Sequence, residues 1–219
     1  MGNKKKPTKA HPDTPFFCAR HQNFELWFEG YGWDLPRTNA MMRGRENTRY
    51  ADICGDDIGA MAGQGWEFLA EPVCFTATHG NDRVIASAWA APMRTEDDEV
   101  GCNLSFAVDE HYEGRSLARL LSCLAFLASL QVHQSMSFAN IETRADNLPS
   151  LALARSLSFK PYPDGDFTMP VAGATAEVAF HCLRADRSIL RFHAEQTLQE
   201  KNLHDLLALI RAARRPRKP

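Results

Sequence analysis

The chain has 219 residues, of which 44% are hydrophobic and 24% are charged, and its formal net charge is −2. This composition is typical of a globular protein and excludes a low-complexity or collagen-like chain. No apolar run reaches the roughly 18 residues of a membrane-spanning helix. Because the lysine-rich start has no apolar stretch behind it, we predict no secretory signal and expect a cytoplasmic protein.

The small net charge conceals an uneven distribution. Nine basic residues and no acidic residue lie in the two end segments, 1–10 and 211–219, which leaves 16 basic and 27 acidic residues between them, a net charge of −11. We predict disordered tails at 1–14 and 215–219. Basic tails on an acidic body either bind nucleic acid or an acidic partner, or are solvated ends that aid solubility.

Three strands are predicted in the middle of the chain, at 72–78, 83–93 and 100–108, and short turns join them. Consecutive strands with short turns indicate an antiparallel meander. The segment before them shows no clear period, but it is rich in aromatic side chains, which form either a core or the floor of an acceptor pocket. These are Phe16, Phe17, Phe24, Trp27, Phe28, Tyr31 and Trp33.

The hydrophobic period changes after residue 108. Leucines at helical spacing predict helices at 115–130 and 148–157, separated by a strand at 137–143. A last strand follows at 177–183, and a helical tail at 188–214 has a capping break near Asn202 and Asp205. Strand–helix–strand crossovers are normally parallel and right-handed. The fold class is therefore α/β (α+β), a mixed, mostly antiparallel sheet flanked by helices, with a C-terminal helical extension.

The junction between the third strand and the first helix has the features of an anion site. It is the segment Val108-Asp-Glu-His-Tyr-Glu-Gly-Arg-Ser-Leu-Ala118. A glycine-containing turn that opens onto a helix exposes unpaired backbone N–H groups at the positive end of the helix dipole. A pyrophosphate fits such a turn.

A second segment, Asn147-Leu-Pro-Ser-Leu-Ala-Leu-Ala-Arg-Ser-Leu-Ser-Phe159, follows the next strand. Together the two segments resemble the hallmark stretches of the GNAT acetyltransferases, which are a Q/R-x-x-G-x-G/A cofactor loop and an asparagine-led helix that ends in Leu-Gly-Phe. The resemblance covers residues 68–183. It implies an acyltransferase domain at 15–185, with C-terminal helices at 186–214. The matching residues are Ala107, Val108, Gly114, Ala118, Asn147, Leu151, Leu157 and Phe159.

Four positions depart from the family pattern. Glu113 replaces the usual arginine or glutamine, and Ser116 and Ser158 each replace a glycine. Ala154 stands where many members have the tyrosine that protonates the leaving thiolate. A different hydroxyl or a water must then serve as the acid, or the domain is not catalytic.

The resemblance implies acetyl-CoA, or another acyl-CoA, as co-substrate, and no metal. In the family, the backbone before the loop holds the thioester carbonyl, the loop holds the pyrophosphate and the asparagine contacts pantetheine. The implied cofactor-binding residues are Phe106, Ala107, Val108, Glu113, Gly114, Arg115, Ser116, Leu117, Ala118 and Asn147.

The reaction needs a base that accepts the proton of the attacking amine. The predicted catalytic residues are Glu99, Asn103 and Ser105, on or beside the third strand; Glu142 and His111 are further candidates. We therefore expect an acyl-CoA-dependent N-acyltransferase with a small-molecule or protein amine acceptor, working by direct attack; a homodimer is one assembly it could form. The alternatives are a related enzyme that acts on nucleic acid, and a non-catalytic CoA-binding or interaction module.

Overall fold

The computed structural model describes residues 16–32, 66–80, 83–170, 175–206 and 208. These residues form one sheet with the strand order β1-β2-β4-β5-β6-β7-β10-β8, while β3 pairs with β5 and β9 with β10. The strands are β1 Phe16–His21, β2 Phe24–Tyr31, β3 Trp66–Phe68, β4 Val73–Thr78, β5 Val84–Thr95, β6 Val100–Val108, β7 Phe138–Arg144, β8 Lys160–Pro161, β9 Phe167–Met169 and β10 Val178–Asp186. The helices are α1 Leu117–Val132, α2 Leu148–Ser156 and α3 Arg187–Glu200.

The predicted fold class is confirmed. β4, β5 and β6 form the expected antiparallel meander. The pairing of β6 with β7 is parallel, because α1 carries the chain across the sheet between them, and the pairing of β7 with β10 is antiparallel. The sheet is therefore mixed and mostly antiparallel.

The sheet has two faces of different character. Paired residues share a face, and alternate residues point to opposite faces. Leu104, Ile141 and Leu183 lie on the side that packs against the helices, which we call the core face. The opposite side, which we call the polar face, carries Ser87, Asn103, Ser105, Asn140, Glu142, Cys182 and Arg184.

Helix α1 is buried on almost its whole circumference. Its leucines are at most 5% exposed, and Ser122 and Ser129 are fully buried too. Burial of this helix against the core face holds β6 and β7 in their parallel arrangement.

Helix α3 ends at Glu200, and Asn202 follows with a φ of 54°. Leu203 N–H donates to the Leu198 carbonyl at 2.8 Å, and Asn202 N–H donates to the Gln199 carbonyl at 3.0 Å, so the helix closes in a Schellman motif. The predicted break at Asn202 is therefore present. The tails predicted at 1–14 and 215–219 lie outside the described residues.

The first two strands and the short strands β3, β8 and β9 were not predicted. β1 and β2 contain register shifts at 17/19 and 28/30, and such bulges interrupt the alternation that marks a strand. No helix in the described part of the chain is long and apolar enough to cross a membrane.

Candidate active site

A gap opens between β6 and β7. Their parallel ladder joins Gly101 with Phe138, Cys102 with Ala139 and Asn103 with Asn140, and it ends there. Within the described part of the chain, β6 continues for five residues to Val108 paired with β5 alone, and β7 continues to Arg144 paired with β10 alone. The free edge of β6 is about 17 Å long at about 3.4 Å per residue. Backbone groups on this edge are available to an extended ligand.

The turn that follows β6 lies at the wide end of this gap. After the short 3₁₀ helix Glu110–Tyr112, Gly114 has a φ of 74° and Ser116 a φ of 61°. From Gly114 to Arg119, no N–H group donates a hydrogen bond to a described residue. These six donors lie at the N-terminus of the 16-residue helix α1, an arrangement that favours anions in proteins.

The charges beside this turn are mostly paired. Arg83 forms an ion pair with Asp109 at 2.6 Å, and His111 contacts the same carboxylate at 3.1 Å. Burial opposes ionisation of Asp109, but the hydrogen bonds from His111 and the charge of Arg83 hold its pKa below the usual range. Asp109 thus caps the 3₁₀ helix by accepting from the His111 N–H, and the His111 ring is bound to the same carboxylate. The Arg115 guanidinium lies 5.8 Å from the Tyr112 ring centre.

Asn147 begins α2 at the same end of the gap. Its side-chain oxygen accepts a hydrogen bond from Ser150 N–H at 3.2 Å, so its amide nitrogen remains a donor for a ligand. Ala154, in the position of the family's tyrosine, is fully buried in the core. Because residue 154 is alanine, this position supplies no hydroxyl to the gap.

Glu142 is the unusual group of the site. Both of its carboxyl oxygens are buried, and no described residue lies in hydrogen-bonding geometry with them. Burial raises its pKa to about 8, and the nearby Asn103 side-chain amide lowers the pKa by a smaller amount. The Asn103 side-chain oxygen and the Asn140 side-chain nitrogen are also buried and have no partner among the described residues. These unpaired groups gather on the polar face where the ladder between β6 and β7 ends.

The structure separates the three predicted catalytic residues. Asn103 lies at the end of the ladder, beside Glu142. Ser105 lies two residues further along β6, and the same register would place it across the gap from Glu142. Glu99, by contrast, lies just before β6, at the end of the ladder away from the gap, and forms an ion pair with Arg184 at 3.0 Å. Asn103 and Ser105 share one face, as predicted.

Arg184 is fixed from four sides. Its guanidinium carbon lies 3.8 Å from the ring centres of both Phe138 and Tyr162. Its Nε donates to the Asn140 side-chain oxygen at 3.0 Å, and its Nη1 donates to Glu99. This contact also sets the orientation of the Asn140 amide. Within the described residues, no group of three or more His, Cys, Asp or Glu side chains is arranged to hold a metal ion.

Comparisons with known proteins agree with this geometry. No protein-family model and no curated protein sequence matches the chain. Among solved structures, a GNAT-family acetyltransferase from Streptococcus pneumoniae is 14% identical with a TM-score of 0.52, and the match covers 74% of this chain and 99% of that one. Arabidopsis thaliana NAA60, solved with acetyl-CoA, is 11% identical with a TM-score of 0.53, over 74% and 99%. Salmonella typhimurium yncA, solved with its cofactor acetyl-CoA, is 15% identical with a TM-score of 0.52, over 75% and 94%.

The separating parallel strands, the glycine-containing turn onto α1 and these neighbours define the fold. The chain has the fold of the GNAT acetyltransferases.

Proposed function

We propose that the protein is an acyl-CoA-dependent N-acyltransferase that transfers an acetyl or related acyl group to an amine. The observation that carries this proposal is the gap between β6 and β7, with six free N–H groups at its wide end and a buried, unpaired carboxyl group beyond the end of the ladder. In order along the gap, these features would serve as a site for the CoA pyrophosphate, a strand edge for the pantetheine arm and a base.

The cofactor lies along this gap. The free N–H groups from Gly114 to Arg119 bind the CoA pyrophosphate, helped by the dipole of α1. The Glu113 N–H is not among them, because it donates to the Glu110 carbonyl at 3.3 Å. The pantetheine arm follows the free edge of β6, within reach of the Asn147 amide nitrogen. Backbone groups of Phe106, Ala107 and Val108 hold the thioester carbonyl and stabilise the oxyanion.

Glu142 supplies the base. Its carboxylate accepts a proton from the acceptor amine, and the amine nitrogen forms a bond to the thioester carbonyl carbon. The tetrahedral intermediate collapses, the carbon–sulfur bond breaks and CoA leaves as a thiolate. Because a thiol has a pKa of about 8.5, the thiolate is a good leaving group and takes its proton from water. Ala154 therefore does not prevent turnover.

The sequence left two alternatives to this function, and they have different support. A nucleic-acid substrate rests only on the basic tails, which lie outside the described residues. A non-catalytic CoA-binding module is favoured by Ala154 and by the serine at position 116. The described residues provide no further support for either alternative.

The proposed function is tested by incubating the protein with acetyl-CoA and a panel of primary amines and N-terminal peptides at pH 8.5. Release of the CoA thiol and the mass of the product are measured together. The proposal expects thiol release in step with amine acylation, lost in Glu142→Gln. Tight acetyl-CoA binding without acylation by the wild type would instead support the non-catalytic module.

A further inference from the structure

Asn140 presents a buried N–H donor whose orientation is fixed. Its side-chain oxygen accepts a hydrogen bond from the Nε of Arg184 at 3.0 Å, and an arginine side chain can only donate. Turning the amide over would therefore place two donors against each other. Arg184 is itself held by Glu99 and by two aromatic rings. The Asn140 amide nitrogen is buried and has no partner among the described residues, so a donor is left unused on the polar face.

Asn103 presents the complementary group on the neighbouring strand. It is the partner of Asn140 at the last step of the parallel ladder, so the two α-carbons lie about 4.8 Å apart and the two side chains share the polar face. The Asn103 amide lowers the pKa of Glu142, which is the effect of its N–H groups on a carboxylate. Its oxygen is buried and accepts no hydrogen bond from the described part of the chain. A donor and an acceptor thus lie side by side without bonding to each other.

The described side chains around this pair do not satisfy it. On β5 the partner of Asn103 is Ala91, which has no polar side-chain atom. On the side away from the gap, the ring of Phe138 lies over Gly101, where an added Cβ would overlap it. On the side of the gap, Glu142 lies two residues further along β7, about 7 Å away. The pair therefore lies between an aromatic wall and the proposed base.

The arrangement is complementary to a peptide backbone. A buried donor or acceptor without a partner is costly, and in proteins such groups are usually satisfied by protein, water or ligand. In an extended chain, the N–H and C=O groups of one residue point to the same side, as they do on a strand edge. A peptide can thus satisfy both asparagines at once, whereas a simple alkylamine leaves both unpaired.

We propose that Asn103 and Asn140 form the acceptor-binding subsite and that the acceptor is the N-terminus of a peptide or protein. A residue close to that N-terminus donates its N–H to Asn103 Oδ1 and accepts from Asn140 Nδ2 with its C=O, while the α-amino group lies at Glu142. This inference rests on the proposed function and names its acceptor class. An extended peptide advances about 3.4 Å per residue, so its first three residues span the distance of about 7 Å from Glu142 to the pair.

The test is an ester scan of a five-residue peptide, built on the best peptide acceptor from the panel of amines and N-terminal peptides. A single ester replaces the peptide bond before residue two, three, four or five of the acceptor, which removes the N–H of that residue. We expect kcat/KM of the wild type to fall by about 5–100-fold for the ester before residue two or three. The esters before residues four and five are matched controls and should be acylated as well as the parent peptide.

Two variants assign the loss to the asparagine pair. Asn103→Leu keeps the shape of the side chain and removes the acceptor oxygen, and replacing an unpaired buried polar group in this way costs little stability. This variant should acylate the sensitive ester and the parent peptide equally well. Ser87→Ala is the control, because the Ser87 hydroxyl is also buried on the polar face without a described partner but lies beside Ala107. It should discriminate between ester and peptide as the wild type does.

The outcomes separate this inference from the proposed function. Equal kcat/KM for the peptide and all four esters, or acylation of simple amines but of no peptide, would overturn the acceptor subsite and leave an acyltransferase. The same discrimination in Asn103→Leu as in the wild type would overturn the role of this pair. No acylation of any amine would overturn the proposed function, and the ester scan, measured by calorimetry as peptide Kd in the presence of CoA, would then decide whether the pair binds a peptide.

Discussion

Ser116 and Ser158 share a left-handed backbone conformation, with φ angles of 61° and 62°. Both stand where the GNAT motifs have glycine. Ser158 follows α2 in a Schellman motif, in which Phe159 N–H donates to the Ala154 carbonyl and Ser158 N–H to the Arg155 carbonyl, each at 3.0 Å. The family's glycines are thus explained by backbone conformation, and the serines add strain at both places.

The two serines should respond differently to glycine. A left-handed backbone costs a non-glycine residue about 1–2 kcal/mol, and substitution by glycine relieves this strain. Part of the resulting stabilisation is lost because glycine makes the unfolded chain more flexible. We expect Ser116→Gly to raise the free energy of unfolding by about 0.5 kcal/mol. Ser158→Gly should gain less, since it also loses the 2.8 Å hydrogen bond between Ser158 Oγ and His193 Nε2. Urea denaturation measures both, and a larger gain for Ser158→Gly would contradict this explanation.

Glu142→Gln should slow acylation without loss of the cofactor. General base catalysis contributes about 10²–10⁴-fold, so we expect a fall of that size in kcat with an unchanged Kd for acetyl-CoA. In the wild type the rate should rise with pH towards about 8, the pKa of Glu142, and this rise should disappear in the variant. A variant that keeps the wild-type rate and pH profile would exclude Glu142 as the base.

The same carboxyl group should make stability depend on pH. Its pKa is raised from an ordinary 4.5 to about 8 in the folded state, so the folded protein holds the proton more tightly than the unfolded chain. The resulting stabilisation is complete below about pH 4.5 and is lost as the pH rises through 8, by up to a few kcal/mol.

Glu142→Gln should flatten this slope and be more stable than the wild type above pH 8. Thermal unfolding from pH 5 to 9 measures the effect. If the stability of the two proteins changed with pH in the same way, Glu142 would be ionised at neutral pH, which would contradict the prediction.

Gly114 should be required for cofactor binding. Proline fixes φ near −65° and removes an N–H, whereas Gly114 has a φ of 74°; Gly114→Pro should therefore abolish acetyl-CoA binding. Gly114→Ala keeps the N–H and should weaken binding less. Gly80→Ala is a matched control, because Gly80 has a φ of 55° and, like Gly114, open space around its α-carbon. Calorimetry should show wild-type affinity for Gly80→Ala; equal affinity in Gly114→Pro would place the site elsewhere.

Much of the fold could be predicted from the sequence, because β4–β6, α1 and α2 follow regular periods and are joined by short turns. β1 and β2 could not be predicted, since their bulges and their aromatic residues on both faces disturb the alternation of polar and apolar residues that marks a strand. The turn at 113–118 became a candidate anion site only together with the asparagine-led segment at 147–159, because one glycine at a helix start is by itself a weak signal.

The rest of the site depends on tertiary structure. The place where β6 and β7 separate follows from how α1 and the neighbouring strands pack, and no local pattern encodes it. Asn140, Glu142 and Arg144 alternate with Ala139, Ile141 and Thr143, and a row of polar residues at every second position is typical of a solvent-facing strand side. The carboxyl oxygens of Glu142 are nevertheless buried, and Glu99, which the sequence analysis names ahead of Glu142 as a catalytic residue, is paired with Arg184.

The most direct test of the account is a map of backbone amide shifts on adding acetyl-CoA to ¹⁵N-labelled protein. The account predicts saturable changes that are largest at 114–119 and along 104–108, with smaller changes at Asn147 and Glu142. No binding at millimolar acetyl-CoA, or changes confined to residues away from the gap between β6 and β7, would contradict it.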